Sequence, residues 1–247
     1  MIVSAVIPAR LASTRLPCKV LADIHGRPLL WHVWNQVIQA RGLSEVLVAT
    51  DSSEVASAVE NWGGLVRMTS PECRSGTERI VSIIDNIQGD LILNIQGDEP
   101  LIDPRLLEKM VALWKQKGGD LITPVYPIRD QVTLFNPNIV KVVRAHAGNA
   151  LYFSRSPLPY VRDCPIEHWL DQQTYWGHVG VYGYRREILM DYASLPESDL
   201  EVAERLEQLR FLDAGYRIQT LETDYHPIAV DTPADLDNVR NLLGEKI

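Results

Sequence analysis

Two hydrophobic periods alternate along this chain, and that alternation restricts the fold more than any other feature. Ile2 to Ile7 is a run rich in β-branched residues, whereas Pro28 to Ala40 places apolar side chains at 29, 30, 33, 34, 37 and 38, one face of a helix. Pro28 suits its first turn and Gly42 its stop. The same reading predicts a strand over Glu45 to Thr50, a helix over Ser52 to Trp62 closed by Gly63-Gly64, a helix over Thr77 to Ile87 and a strand over Asp90 to Ile95. Helix Pro104 to Lys117, strand Asp120 to Val125, strand Tyr216 to Thr220 and helix Pro233 to Leu243 continue the rhythm. Such βαβ succession predicts an α/β fold with a mostly parallel sheet and helices on both faces. From Pro127 to Tyr184 the rhythm fails. Short extended pieces, Ile139 to Arg144 and His178 to Tyr184, stand between Pro137, Pro157, Pro159 and Pro165, which favours antiparallel strands and turns. With no internal repeat or linker, residues 1–247 read as one domain with an excursion at about 127–184.

Composition removes several classes of function. The chain has 247 residues, 46% of them hydrophobic and 23% charged, enough to bury a substantial core. No apolar run approaches the roughly 18 residues of a membrane helix, and the first seven residues have neither the basic n-region nor the cleavage site of a signal peptide, so the expected location is the cytoplasm. Cys18, Cys73 and Cys164 are odd in number and lack C-x-x-C spacing, so neither a disulfide framework nor a zinc site is expected. A net charge of −8 argues against nucleic acid as a partner.

The local charge at the start of the chain is opposite. Arg10, Arg15 and Lys19 follow the first strand within ten residues, with the hydroxyls of Ser13 and Thr14 between them and no acid before Asp23. Arginine forks grip phosphate oxygens bidentately and lysine adds a mobile point charge, so the loop suits a polyphosphate. Because charges are screened over ~8 Å at physiological salt, the pocket's own charge matters more than the total. The chain has neither G-x-x-x-x-G-K-[ST] nor G-x-G-x-x-G, which disfavours a P-loop enzyme and a dinucleotide-binding one. Ligands of open α/β sheets bind beyond the carboxyl ends of strands. Gln96-Gly97-Asp98-Glu99 leaves one such end, and Asp231 leaves another at Ile228-Ala229-Val230. Two carboxylates opposite a cationic loop suit Mg²⁺ bridging to a triphosphate, which makes Asp98 and Asp231 candidate metal ligands. For Asp231, before Thr232-Pro233, capping of the last helix is the competing role.

Longer motifs then carry a resemblance. Ile7 to Leu21 (IPARLASTRLPCKVL), Ser75-Gly76-Thr77-Glu78-Arg79, Asn94 to Pro100 (NIQGDEP), Ala150 to Pro157 (ALYFSRSP), His178 to Arg185 (HVGVYGYR), Leu206 to Arg210 (LEQLR) and Val230 to Leu236 (VDTPADL) resemble, in this order, the 3-deoxy-manno-octulosonate cytidylyltransferases, or CMP-Kdo synthetases. The resemblance covers residue 2 to about residue 240. It implies a Rossmann-like nucleotidyltransferase sheet, transfer of CMP from CTP to 3-deoxy-manno-octulosonate (Kdo) with release of pyrophosphate, and service to lipopolysaccharide or capsule synthesis. It also implies a homodimer built through the central excursion. On these positions Arg15 and Lys19 meet the β and γ phosphates and Arg10 the α phosphate or the nucleoside, with Ser13 nearby. Arg74, Ser75 and Gly76 read the cytosine. Gln96, Arg155, His178, Tyr182, Glu207 and Gln208 grip the sugar acid, Arg162 being a further candidate, and Asp98 and Asp231 hold the Mg²⁺ cofactor. From the residues alone, His178 and Tyr182 would read as an ordinary sheet face, and Glu207, after Glu201 and Glu204, as a solvated helix flank. This chain departs from the family with Cys18 where most relatives have glycine and Cys73 where they often have histidine, which leaves 8-amino-Kdo or another nonulosonic acid open as acceptor. Two rivals also stay open: a CMP-sialic acid synthetase, which should lack the FSRSP and LEQLR motifs, and a non-catalytic binder, which need not keep Lys19, Asp98 and Asp231.

Overall fold

Val3 to Ile7 are each 0% exposed, odd and even positions alike, so the first strand is covered on both faces, as in parallel sheets. The computed structural model describes residues 1–13 and 15–244; the Thr14 hydroxyl of the phosphate-loop reading lies outside them. In chain order the elements begin with β1 (Val3–Ala9), a two-strand hairpin β2 (Asp23–Ile24) and β3 (Arg27–Pro28), α1 (Leu29–Val37), β4 (Glu45–Thr50), α2 (Ser53–Asn61), β5 (Leu65–Met68), α3 (Gly76–Val81), β6 (Leu91–Asn94) and α4 (Pro104–Lys117). There follow β7 (Leu121–Ile128), α5 (Gln131–Phe135), β8 (Lys141–Arg144), β9 (Ala150–Ser154), α6 (Trp169–Gln172), β10 (Tyr175–His178), β11 (Tyr182–Arg185), α7 (Arg186–Asp191), α8 (Asp199–Glu204), α9 (Gln208–Asp213), β12 (Ile218–Glu222) and α10 (Pro233–Gly244).

The chain divides into two compact units. The first comprises Met1–Ala112, Val181–Ala193 and the chain from Pro227 onward. Its strands run in the order β5-β4-β1-β6-β11. All neighbours are parallel except β6 and β11, where Tyr182 faces Asn94 and Arg185 faces Leu91. After β1 the chain builds β4 and β5 on one side and then β6 on the other, so the order reverses at β1 and a crevice opens at its carboxyl end. The second unit comprises Leu113–Gly180 and Ser194–His226. There β7 pairs with β12 in parallel, and β10, β8 and β9 extend it antiparallel. The mostly parallel α/β sheet and the smaller antiparallel part are therefore both present, and the antiparallel strands come from the predicted excursion together with the end of β7.

Local chemistry explains the elements. Ser52 accepts from Val55 N and caps α2, and Gly63 takes φ +81° after it. Three expectations change. The helix over Thr77 to Ile87 stops at Val81, where Ser82 Oγ donates to the Arg79 carbonyl and competes with the ladder; a separate 3₁₀ turn spans Ile84–Asn86. The stretch His178 to Tyr184 is two strands, because Val179 N donates to Pro124 O and turns the chain aside. His178 pairs in register with Val125 on β7 whereas Tyr182 pairs with Asn94 on β6, so they belong to two different strands and the spacing of four residues along one strand does not relate them. Residues 228 to 230 form no strand; Val230 N instead donates to Asp98 O at 2.9 Å.

Candidate active site

β1 and β6 deliver the site. Their carboxyl ends, the chain before α3 and the entry to α10 line a cavity of about 400 Å³ within the first unit. Five cationic residues line it, Arg10, Arg15, Lys19, Arg74 and Arg79, against two acids, Asp98 and Asp231. Close backbone approach shapes the floor, since a Cβ on Gly97 would lie 2.8 Å from the Pro8 carbonyl.

Lys19 is the hub. Its Nζ lies 2.6 Å from Asp98 Oδ2 and 3.0 Å from Asp231 Oδ1, and Arg15 Nη2 lies 2.9 Å from the same Asp231 oxygen. Burial pulls the Lys19 ammonium toward neutrality, but the Asp98 charge and the hydrogen bonds to Asp98 and Asp231 outweigh it and hold its pKa above the ordinary lysine value. The two carboxylates thus meet on one cation across 133 residues of sequence, drawn together by the Val230–Asp98 backbone bond.

The competing role for Asp231 falls to its neighbours. Thr232 O accepts the first helical bond, from Leu236 N, and Thr232 Oγ1 accepts from Asp235 N at 3.2 Å. Asp235 Oδ2 in return accepts from Asp231 N at 3.1 Å and from Thr232 N at 2.8 Å. This capping box satisfies the helix start and leaves the Asp231 side chain facing Lys19 and Arg15.

Asp98 and Asp231 offer two hard oxygen donors at one point where a cation already sits. Among the described residues no cluster of three or more His, Cys, Asp or Glu residues could hold a metal alone. That donor set fits Mg²⁺, which retains waters and completes its shell with substrate phosphates, and does not fit zinc.

The remaining nucleotide-side candidates line the same cavity. Arg10 is exposed there and makes no ion pair among the described residues. Ser13 and Gln96 are also on the wall. Arg74 donates to Glu78 Oε1 through Nε at 2.9 Å and Nη2 at 2.7 Å, and Ser75 Oγ caps α3 by accepting from Glu78 N. Gly76 packs on Pro8, where a Cβ would meet the ring at 3.3 Å. The sequence reading quoted Arg79 within its motif and gave it no role. It is 3% exposed, lines the cavity, donates to Asp51 Oδ2 at 2.9 Å and touches Thr69 Oγ1. A buried arginine beside an anion pocket is legible only once its aspartate partner, delivered by the end of β4, is known.

The sugar-side candidates divide between the units. Tyr182 is buried on β11 in the first, its ring stacked on Tyr184 at 5.6 Å. In the second, His178 Nε2 lies 2.9 Å from Thr123 Oγ1, which also lies 3.2 Å from Val179 O. Burial pushes the His178 pKa down to about 3, leaving a neutral imidazole. Arg155 spends its guanidinium largely on carbonyls, with Nε on Glu204 O at 2.8 Å and Nη1 on Pro137 O at 2.9 Å. Glu207 precedes α9, and Gln208 is 6% exposed with no partner for Nε2 among the described residues. The helix-flank reading of the glutamates fails here: α8 ends at the left-handed Arg205, and buried Glu201 accepts from Arg210 Nε at 2.6 Å and Nη2 at 2.9 Å. Arg162 stands on the surface 3.4 Å from Asp163.

Known proteins resemble this chain over its whole length. The cytidylyltransferase family model matches residues 4–218. The 3-deoxy-manno-octulosonate cytidylyltransferase of Geobacter sulfurreducens is 45% identical over 97% of this chain and 98% of its own. That of Chlorobium limicola is 47% identical over 96% and 95%. The solved CTP complex of CMP:2-keto-3-deoxy-manno-octonic acid synthetase superposes with a TM-score of 0.94 at 41% identity over 100% of both chains. With its carboxylate pair, its cationic crevice and full-length relatives of one kind, the chain belongs to the cytidylyltransferase family, among the 3-deoxy-manno-octulosonate cytidylyltransferases.

Proposed function

We propose that this protein transfers CMP from CTP to Kdo, releasing pyrophosphate, and that the product supplies lipopolysaccharide or capsule synthesis. The observation that carries the reading is the meeting of Lys19, Arg15, Asp98 and Asp231 in a cationic crevice at the carboxyl end of β1. Attack on the α phosphorus needs charge neutralised on the departing pyrophosphate and an oxygen held in line, more than it needs a reactive side chain. Lys19 and Arg15 neutralise Asp98 and Asp231 in the protein as it stands, and they are our candidates for the β and γ phosphates. Arg10, Ser13, Arg74, Ser75 and Gly76 take the rest of the nucleotide. Asp98 and Asp231 would hold Mg²⁺, which when bound supplies positive charge to the triphosphate and lowers the pKa of a coordinated hydroxyl.

Roles toward the sugar acid rest on the motifs in which Gln96 and Tyr182, and separately Arg155, His178, Glu207 and Gln208, stand. A neutral His178 would serve as a hydrogen-bond partner, not as the counter-ion of the sugar carboxylate. We also place the protein in the cytoplasm as a homodimer. No described helix is long and apolar enough to cross a membrane, and the three cysteines are free thiols.

Pyrophosphate release, measured with Mg²⁺ and CTP in separate reactions with Kdo, 8-amino-Kdo and N-acetylneuraminate, tests the reading. Release with Kdo alone, lost in Asp98→Ala, is the expected outcome. Lys19→Ala should lower the rate on the order of a hundredfold, about 3 kcal/mol of transition-state stabilisation. Release with a different acid would replace the substrate, and CTP binding without release from any acid would replace the activity.

A further inference from the structure

We infer that Glu204 is a positioning residue for the sugar-acid side of the reaction, tying the end of β9 to the turn that starts α9. The inference rests on the proposed sugar roles of Arg155, Glu207 and Gln208, and it gives a role to a residue that none of the motifs contains.

Glu204 binds two successive residues of the Phe153-Ser154-Arg155 segment. Its Oε1 accepts from Ser154 Oγ at 2.6 Å and its Oε2 from Arg155 N at 2.9 Å. Its own carbonyl accepts from Arg155 Nε at 2.8 Å. The next residue, Arg205, turns into the left-handed region at φ 53° and ends α8, and its carbonyl lies 3.5 Å from Arg155 Nη2. The chain therefore leaves Glu204 with its direction set, and three and four residues later presents Glu207 and Gln208. At the other end of α8, buried Glu201 is paired with Arg210 of α9. Helix α8 is thus a strut with one carboxylate on β9 and one on α9.

Charge balance makes the tie specific. Lys141 is 0% exposed with its Nζ on the carbonyls of Asn136 at 3.0 Å and Ile139 at 2.6 Å. Burial lowers its pKa, and the Glu204 charge opposes that while Arg155 adds to it. Glu204 is the anion set against these two cations. The end of the strut also carries a demand that the protein leaves unmet, since the buried Gln208 Nε2 has no partner among the described residues. A buried amide donor needs an acceptor, and a hydroxylated acid supplies several.

The test is Glu204→Gln, which keeps the shape but removes the charge set against Lys141 and Arg155 and leaves only a neutral, weaker acceptor for Arg155 N. We expect KM for Kdo to rise about tenfold or more with KM for CTP within about twofold, because a small displacement of binding groups raises KM for the substrate they hold. Ser154→Ala, which removes one anchor and keeps the Glu204 charge and its bond from Arg155 N, should give a smaller rise of the same kind. A rise in both KM values together with a fall in melting temperature would show a structural role only and overturn the inference. Gln208→Leu separates the two layers: no change in KM for Kdo would overturn the sugar reading of this turn, whereas a rise there with no rise in Glu204→Gln and Ser154→Ala would overturn the strut alone.

Discussion

Cys18 occupies the left-handed region, with φ 53° and ψ 31°, immediately before Lys19. That conformation costs a non-glycine residue about 1 kcal/mol, so glycine would be the less strained residue at this position. Cys18→Gly should raise stability by about 1 kcal/mol in urea unfolding, and a lower midpoint would show that the exposed thiol contributes packing that the backbone gain does not offset. His178 makes a second prediction. Its folded pKa of about 3 lies below the ordinary histidine value, so the unfolded chain binds a proton that the folded one refuses. The associated stability is complete above pH ~6.5 and is lost as pH falls toward 3, by about 2 kcal/mol between pH 7 and pH 5. Unfolding at these two pH values should show that loss in the native protein and a correspondingly shallower dependence in His178→Gln; equal slopes would remove histidine burial as the cause. Lys19, Asp98 and Asp231 were legible because residue type and strand-end position together limit what such groups can do. Arg155 was not, since its commitment to three backbone carbonyls depends on chain segments brought alongside it.

Among the elements, those written in local hydrogen bonds and period came out closest to expectation. β4 spans Glu45–Thr50 and α4 spans Pro104–Lys117, as predicted. The broken helix at Ser82 shows the limit of periodicity, because the apolar stripe continues through Ile83, Ile84 and Ile87 while one hydroxyl diverts the backbone. α10 couples element to site. Its capping box holds the backbone of Asp231 through Asp235, so Thr232→Ala should lower stability by about 1 kcal/mol and should also reduce kcat/KM for CTP. Lost stability with unchanged kcat/KM would show that the cap serves the helix only.

At the scale of the molecule, a chain of net charge −8 keeps a crevice with five cations and two acids, so the acids lie mostly elsewhere and the ligand meets a local field of opposite sign. The second unit exposes Val132 at 83% and Tyr160 at 71%, large apolar side chains in the predicted dimerisation excursion. Sedimentation velocity should give twice the protomer mass of 27.9 kDa, with Val132→Asp and Tyr160→Asp shifting the balance to single chains; a monomer at micromolar concentration would remove the dimer from the proposed function.

The alternation of periods, the helix caps and the chemistry presented at strand ends were determined by sequence alone, because each depends on residues within a few positions of one another. Tertiary structure decided which aspartate caps a helix and which faces a cation, since Lys19 and Asp231 are 212 residues apart in sequence and 3.0 Å apart in the fold, with Val230 bonded to the backbone of Asp98 beside them. It decided likewise that His178 and Tyr182 belong to different strands and that Glu201 and Glu204 face inward. In each case the partner is supplied by packing, which a local pattern does not encode.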